Sequence, residues 1–289
     1  MLPDDLLKKD IKAFLSSPFP LWENQLTNKL VALEYERLLS IQIDGRLAYA
    51  TATALHQTKS DTDKQFLAAY ASNMIYLEAP DKDHLAGFYE EHGLLPLNKR
   101  ELVRQRAATK LKAALELLAE IPECVACIAS LVNCIQVIAS EGPDYDTSYS
   151  HPAIPFTIFL SVCEDDSPLS TIRVAEGILH EAMHLKLSLI QQQVILVEPG
   201  SKETFYSPWR DTERPLMGVI HGFFVFRAIQ NFMKQYLAQS QTDNSTFNHL
   251  SYRLSDIEAD FRALQNFSTC KTLSKAGIKF TTKLLEPIA

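Results

Sequence analysis

The sequence predicts a mainly helical protein with a small β-sheet beside one central helix. Glycine, the usual residue of tight turns, occupies only 9 of 289 positions, whereas leucine and alanine, which favour helices, recur throughout. Apolar side chains follow helical spacing through most of the chain. A stretch in the middle is instead rich in β-branched residues, which favour strands. The expected class is therefore α+β, with helices predominating.

Composition and charge narrow the classes of function. Apolar residues make up 46% and charged residues 22% of the chain, as in globular proteins. The 28 basic and 35 acidic residues give a net charge of −7 without any basic run, so nucleic-acid binding is not expected. The first ten residues are charged where a signal peptide would be apolar. The most apolar stretch, residues 121–140, carries Glu123, Asn133 and Gln136, so we expect no membrane span and a cytoplasmic location.

The five cysteines are interpreted as reduced thiols. Cys124 and Cys127 form a lone CxxC, with Cys134 nearby. A structural zinc site would normally need a second pair of ligands close in sequence, and none is visible. A redox CxxC would need a thioredoxin-like context. Small buried side chains are the preferred interpretation.

The first third of the chain is predicted to be helical. Amphipathic patterns cover residues 4–16 and 21–42. Ser60 is predicted to cap a third helix, with Phe66, Ala69, Tyr70 and Met74 on one side. Residues 100–120 are predicted to form a fourth, long helix that Pro122 ends.

The remainder mixes strands and helices. Strands are predicted at 131–138 and 155–162, separated by the polar, turn-rich segment 141–152. A helix is expected over 168–191, followed by a long loop at 197–215. Further helices are expected at 216–238, 255–267 and 271–285.

The helix at 168–191 carries the pattern His180-Glu181-Ala182-Met183-His184. Histidines four residues apart lie on one helical face and can reach one divalent metal. Glu181 lies one residue round the helix, where it can touch a metal-bound water or orient a ligand. A chance HExxH on a surface helix is the alternative. We expect a single domain over 1–289, with an N-terminal helical lobe at about 1–122 and a metal-site lobe at about 123–289, in which a zincin-like local arrangement is possible.

A third ligand has two candidates. The extended zinc-protease pattern fails, because Leu187 and Ile190 stand where that pattern needs Gly and His. Glu258 on a later helix is one candidate, although no motif surrounds it. His221, in the helix that follows Pro215, is the other. Its alternative interpretation is an ordinary core histidine.

The glycines beside His221 add to its interest. Gly218 and Gly222 bracket it, and small residues let another helix pack closely. Three histidines would form a centre with open coordination positions.

Three motifs in chain order carry a resemblance to a known family. They are Leu179-His-Glu-Ala-Met-His184-Leu-Lys-Leu, then Tyr206-Ser-Pro-Trp-Arg210, then Arg214-Pro-Leu-x-Gly-x-x-His221-Gly. Together they resemble the HExxH-motif proteins associated with ribosomally synthesised, modified peptides, which are iron(II)- and 2-oxoglutarate-dependent peptide β-hydroxylases. The motifs cover roughly residues 170–230, and the N-terminal region carries none.

The resemblance implies a site and its partners. His180, His184 and His221 would bind Fe(II), with 2-oxoglutarate and O2 as co-substrates and a ribosomal precursor peptide as substrate. Imidazoles suit ferrous iron. The distal carboxylate of 2-oxoglutarate needs a cation, and an arginine offers two parallel donors.

Three arginines are candidates for that contact. Arg214 and Arg210 belong to the motifs, and Arg227 lies on the helix of the third histidine. Each could equally form a surface or structural ion pair. Tyr206 and Trp209 could wall a pocket or anchor the loop to the core.

Three classes of function therefore stand. The leading prediction is an oxygenase that hydroxylates a Cβ position of a peptide, in which Glu181 would orient a histidine ligand. The second is a zinc metallopeptidase of gluzincin type, with Glu181 as general base and Glu258 as third ligand. The third is a non-catalytic helical scaffold that binds a peptide.

Overall fold

The computed structural model describes residues 3–16, 21–43, 64–80, 82–140, 142 and 145–288. It confirms the predicted class, a mainly helical fold with a small sheet. The helices are α1 (Pro3–Phe14), α2 (Asn24–Ile43), α3 (Lys82–Glu91), α4 (Lys99–Arg104), α5 (Ala107–Ala119), α6 (Pro122–Leu131), α7 (Pro168–Gln191), α8 (Leu216–Gln239), α9 (Asn244–Ala263) and α10 (Lys275–Leu285). The strands are β1 (Lys64–Tyr70), β2 (Asn73–Glu78), β3 (Cys134–Val137), β4 (Ser148–Ser150), β5 (Thr157–Leu160), β6 (Thr204–Ser207) and β7 (Thr212–Pro215).

The chain divides into two compact units. The first, the terminal unit, comprises Met1–Leu30 and Lys186–Ala289, and the second, the sheet unit, comprises Val31–Leu185. The division falls within α7, so that the HExxH motif belongs to the sheet unit. The predicted single-domain organisation with lobes at 1–122 and 123–289 stays a prediction.

The sheet unit is built on five strands in the order β1-β2-β3-β5-β4. β3 pairs in parallel with β2 and β5, and the outer pairs, β1 with β2 and β4 with β5, are antiparallel. Every residue of β3 and β5 is buried, as expected for strands covered on both faces. Helix α7 packs at the β5–β4 end of this sheet, where Gly177 lies against the side chain of Leu160.

The predicted third helix is wrong. Residues 64–78 form the β1–β2 hairpin instead, and the predicted cap, Ser60, lies outside the described residues. The rings of Phe66 and Tyr76 meet edge to face across the hairpin, with centroids 6.1 Å apart. Cross-strand aromatic pairing of this kind stabilises a sheet, and it outweighs the helical spacing of Phe66, Tyr70 and Met74.

The predicted fourth helix is divided in two. α4 ends at Arg104 and α5 begins at Ala107, because Arg106 adopts a left-handed φ of 54°. Pro122 does more than end α5. It is an early residue of α6, where its missing N–H costs nothing. The β-branched stretch thus begins with a helix, and only Cys134–Val137 forms the strand.

The cysteine interpretation is consistent with the fold. Cys124 and Cys127 are buried on α6, and Cys134 is buried at the start of β3. They act as small apolar side chains in the core of the sheet unit.

The terminal unit is centred on α8. By length and composition α8 could cross a membrane, but 72% of its most apolar window is buried inside the protein, as in the core helix of a soluble protein. The predicted helices at 168–191 and 216–238 are confirmed as α7 and α8. The predicted loop at 197–215 contains the β6–β7 hairpin, and α9 begins at Asn244, well before the predicted residue 255.

A buried lysine joins the two chain segments of the terminal unit. Lys186, near the end of α7, is fully buried. Its Nζ donates to the carbonyl of Leu21 at 2.8 Å and to that of Glu23 at 3.1 Å, and it lies 4.8 Å from the ring centre of Phe14. These contacts hold Phe14 and residues 21–23 against the last turns of α7.

Candidate functional site

The two motif histidines converge on α7. His180 and His184 are half-buried, and their Nε2 atoms lie 3.0 Å apart. Leu179, Ala182 and Met183, on the other sides of the helix, are buried and fix it in the core. The separation permits an N–H···N bond between the rings. It equally allows both nitrogens to reach one ion, since metal–imidazole bonds are about 2.1 Å long.

Glu181 is held by the edge strand. It is 3% exposed, and its Oε1 and Oε2 accept hydrogen bonds from Ser148 Oγ and Ser150 Oγ respectively, each at 2.6 Å. Alternate residues of a strand face the same side, which is why both serines reach the carboxylate. Oε1 also lies 3.8 Å from His180 Nε2. Glu181 thus anchors α7 to β4 beside the histidine pair.

His221 lies in the terminal unit, on the second turn of α8. The side-chain amide of Gln191 donates to its Nε2 at 2.9 Å, which makes Nε2 the unprotonated ring nitrogen. Burial, together with the smaller effect of the nearby guanidinium of Arg214, lowers the pKa of His221 to about 4. The ring is therefore neutral near pH 7, the form of histidine that binds metals.

Arg214 lies over the start of α8. A Cβ at Gly218 would lie 3.4 Å from Arg214 Cζ, so the absence of a side chain there leaves room for the guanidinium one turn before His221. Arg214 is half-buried. Within the part of the chain that the structure describes, its guanidinium makes neither a hydrogen bond nor an ion pair. It is a cation held near His221 with its donors available.

Trp209 anchors the β6–β7 hairpin to α8. Its ring stacks on Phe226 with centroids 5.0 Å apart. A Cβ at Gly222 would lie 2.5 Å from a ring carbon of Trp209, so Gly222 is required for this contact. Tyr206, by contrast, is 41% exposed and donates to Asp211 of the same hairpin at 2.7 Å.

The other two candidate arginines are placed differently. Arg210 is exposed at the hairpin turn. Arg227 is buried, and its Nε donates to the carbonyl of Leu284 at 2.8 Å. Its Nη1 donates to Gln230 at 2.5 Å. Six helical residues turn the chain through about 600°, so Arg227 and His221 point about 120° apart, roughly 9 Å along the axis.

Glu258 contacts a distant part of α8. Its Oε1 lies 3.4 Å from Gln230 Nε2 and 3.8 Å from Lys234 Nζ. Those residues follow His221 by 9 and 13 positions on α8, or about 14 and 20 Å along the axis. Glu258 is therefore placed away from His221.

The structure brings together only two of the three histidines that the motifs predict as metal ligands. Among the described residues, no group of three or more His, Cys, Asp or Glu side chains is close enough to hold a metal. His180 and His184 come together in the sheet unit, whereas His221 belongs to the terminal unit. The three-histidine ligand set stays a prediction.

Comparison with known proteins gives no family assignment. No protein-family model matches the chain, and no curated protein is significantly similar to it.

Three side chains that contact the motif residues were missed from the sequence. Ser148 and Ser150 hold Glu181, and Gln191 holds His221. The alternation Ser-Tyr-Ser at the end of a turn-rich segment is a weak signal for a strand that presents both serines on one side. Gln191 follows His184 by seven residues, about two helical turns, which was the available signal.

Proposed function

We propose that this protein is an iron(II)- and 2-oxoglutarate-dependent oxygenase that hydroxylates a Cβ position of a peptide. The observation that carries the proposal over the metallopeptidase is the state of Glu181. Both of its carboxylate oxygens accept hydrogen bonds from serine hydroxyls, and the side chain is buried. A peptidase needs that carboxylate to take a proton from water, whereas an oxygenase needs it only to hold His180 and its helix in place.

The histidine pair on α7 supports the choice of iron. The Nε2 atoms of His180 and His184 lie close together on one face of the helix. Imidazole is a suitable ligand for iron. His221 is the third ligand that the motif resemblance implies. Iron(II), when bound, supplies the activation of O2.

Arg214 is the proposed partner of the distal 2-oxoglutarate carboxylate. It is half-buried and lies over Gly218, close enough to His221 to depress its pKa. Arg227 already donates to Leu284 and Gln230, and Arg210 is exposed. A guanidinium with available donors binds a carboxylate through two parallel hydrogen bonds.

The partner and compartment follow from the same proposal. The substrate is a peptide, of the ribosomal precursor type that the resemblance implies, and the protein is cytoplasmic. The negative net charge and the lack of a basic run are consistent with a protein that does not bind nucleic acid.

Turnover of 2-oxoglutarate tests the proposal. Purified protein is loaded with Fe(II) or Zn(II) and incubated with 2-oxoglutarate and O2, and succinate is measured. We expect the Fe(II)-loaded protein to form succinate and the Zn(II)-loaded protein to form none. The variants His180→Ala and His184→Ala should lose most of the bound metal and should form no succinate. Glu181→Gln keeps an acceptor oxygen for one serine, so it should retain iron and measurable succinate formation.

The alternatives give opposite results. Zinc-dependent cleavage of a peptide mixture, abolished in Glu181→Gln and without succinate, would show a metallopeptidase. A protein that is folded by circular dichroism, binds no metal and forms no succinate would be a scaffold.

A further inference from the structure

A groove in the terminal unit lies apart from the histidines. It has a volume of about 520 Å³ and lies between α8, α9 and the segment after α10. This is the size range of pockets for small ligands, about 300–1,000 Å³. The residues of α8 that line it begin at Arg227, on a different face of the helix from His221.

The groove is positively charged. Its described lining includes Arg227, Lys234 and Arg262, against one carboxylate, that of Glu258, which gives 3 − 1 = +2. The chain as a whole carries −7. A cationic concavity in an anionic protein attracts small anions, because the local field and not the net charge acts at short range.

The cations differ in how firmly they are held. Arg227 is fixed at the wall by its bonds to Leu284 and Gln230 and by the ring of Phe261, whose centre lies 4.0 Å from its Cζ. Lys234 Nζ donates to the carbonyl of Ile288 at 2.8 Å. A fixed cation loses little conformational entropy when a ligand binds.

Arg262 is the adaptable cation of the set. It is exposed in the last turn of α9. Its guanidinium forms no hydrogen bond or ion pair with the residues that the structure describes. It can therefore turn toward an anion in the groove.

Part of the wall is apolar. Phe261, Leu285, Pro287 and Ile288 contribute it. A ligand that fills the groove must place a charged group near the cations and an apolar group on this wall, where burial of apolar surface is favourable.

We propose that this groove binds a small amphipathic anion, a carboxylate or phosphate that carries an apolar group. The site is independent of the proposed oxygenase reaction and needs neither iron nor 2-oxoglutarate. Among the described lining residues, Glu258 is the acidic side chain that opposes anion binding there.

The test uses the metal-free full chain and isothermal titration calorimetry. The probes are hexanoate, hexyl phosphate, inorganic phosphate and the neutral hexanol. We expect saturable binding of hexanoate or hexyl phosphate, and at least fivefold weaker binding of inorganic phosphate and hexanol. The tighter of the two amphipathic anions identifies the head group.

Variants that remove a positive or a negative charge from the groove should change the affinity in opposite directions. Arg262→Gln should weaken binding about two- to fivefold, as for an exposed ion pair, and Lys234→Gln/Arg262→Gln at least tenfold. Glu258→Gln should tighten it about two- to fivefold. Lys279→Gln, the same charge change on an exposed residue of α10 outside the groove, should leave it unchanged.

Several results would overturn the proposal. They are no saturable binding of either amphipathic anion, hexanol binding as tightly as hexanoate, or an equal loss in Lys279→Gln. A failure to form succinate leaves these binding results standing, so the two proposals fail separately.

Discussion

Arg214 has the three properties that a carboxylate-binding arginine needs. It is half-buried, its guanidinium makes no bond within the described part of the chain, and it lies near a neutral imidazole. Gly218 creates the space that it occupies.

Replacement of Arg214 should affect 2-oxoglutarate and not iron. A charge-assisted hydrogen bond contributes about 1.5–3 kcal/mol, or roughly tenfold to a hundredfold in affinity. We expect Arg214→Ala to raise the KM for 2-oxoglutarate about tenfold or more, measured by succinate formation, with iron occupancy unchanged. Arg210→Ala is the matched control and should leave KM within about twofold. An unchanged KM in Arg214→Ala would exclude this residue, and Arg227 would then be tested.

Single residues were predictable where a motif fixed their spacing, and not where their partner was distant. The i, i+4 spacing places His180 and His184 together whatever the rest of the fold does. The hydrogen-bond partners of Glu181 could not be predicted in this way, because Ser148 and Ser150 lie more than 30 positions earlier in the chain. Only the folded sheet brings that strand to the helix.

At the scale of elements, the β6–β7 hairpin depends on helix α8. Two glycines spaced four apart leave a flat strip on the helix, on which the hairpin lays Arg214 and Trp209. The stacking of Trp209 on Phe226 holds the hairpin there. Gly218 and Gly222, which flank the predicted metal ligand His221, thus also form the surface on which the hairpin packs.

Gly222→Ala tests that packing. The added methyl would lie 2.5 Å from the Trp209 ring, so the ring and its hairpin must move. Overpacking of this kind costs about 1–3 kcal/mol, a fall in Tm of roughly 2–12 °C for a chain of this size. Gly218→Ala, at 3.4 Å from a flexible arginine, should change Tm far less. Equal Tm values for Gly222→Ala and the unaltered protein would show that the hairpin is not held by Trp209.

Elements were predictable when their pattern was local and long. The stripes of α7 and α8 extend over many turns, so their bounds were close to those observed. The β1–β2 hairpin was misjudged because the same aromatic residues satisfy both helical spacing and cross-strand pairing. The break between α4 and α5 depends on the left-handed conformation of Arg106, for which a non-glycine residue gives no sequence signal.

For the whole molecule, the class was predictable and the compact units were not. Scarce glycine and long apolar stripes indicate helices regardless of how they pack. The terminal unit, however, joins Met1–Leu30 to Lys186–Ala289. That union rests on contacts such as those of Lys186 with Leu21 and Glu23, which link positions more than 160 residues apart and follow no periodic pattern.

The identity of the third ligand decides what the protein does as a whole. The oxygenase proposal takes His221, and the peptidase alternative takes Glu258. His221 is a neutral, half-buried imidazole bonded through Nε2 to Gln191, so a metal would take the nitrogen that Gln191 now occupies. Glu258 is instead 49% exposed in its side chain and lies near Lys234.

His221→Ala and Glu258→Gln should therefore differ sharply. We expect His221→Ala to weaken Fe(II) binding at least tenfold, because one imidazole of the predicted three is lost, and to abolish succinate formation. Glu258→Gln removes an exposed charge on α9 that lies near Gln230 and Lys234 of α8. It should leave Fe(II) binding and succinate formation within about twofold of those of the unaltered protein. Iron occupancy measured by metal analysis after dialysis, with circular dichroism as the control for folding, separates the two. Loss of metal in Glu258→Gln with retention in His221→Ala would transfer the site to the gluzincin ligand set, and with it the role of Glu181 from anchor to base.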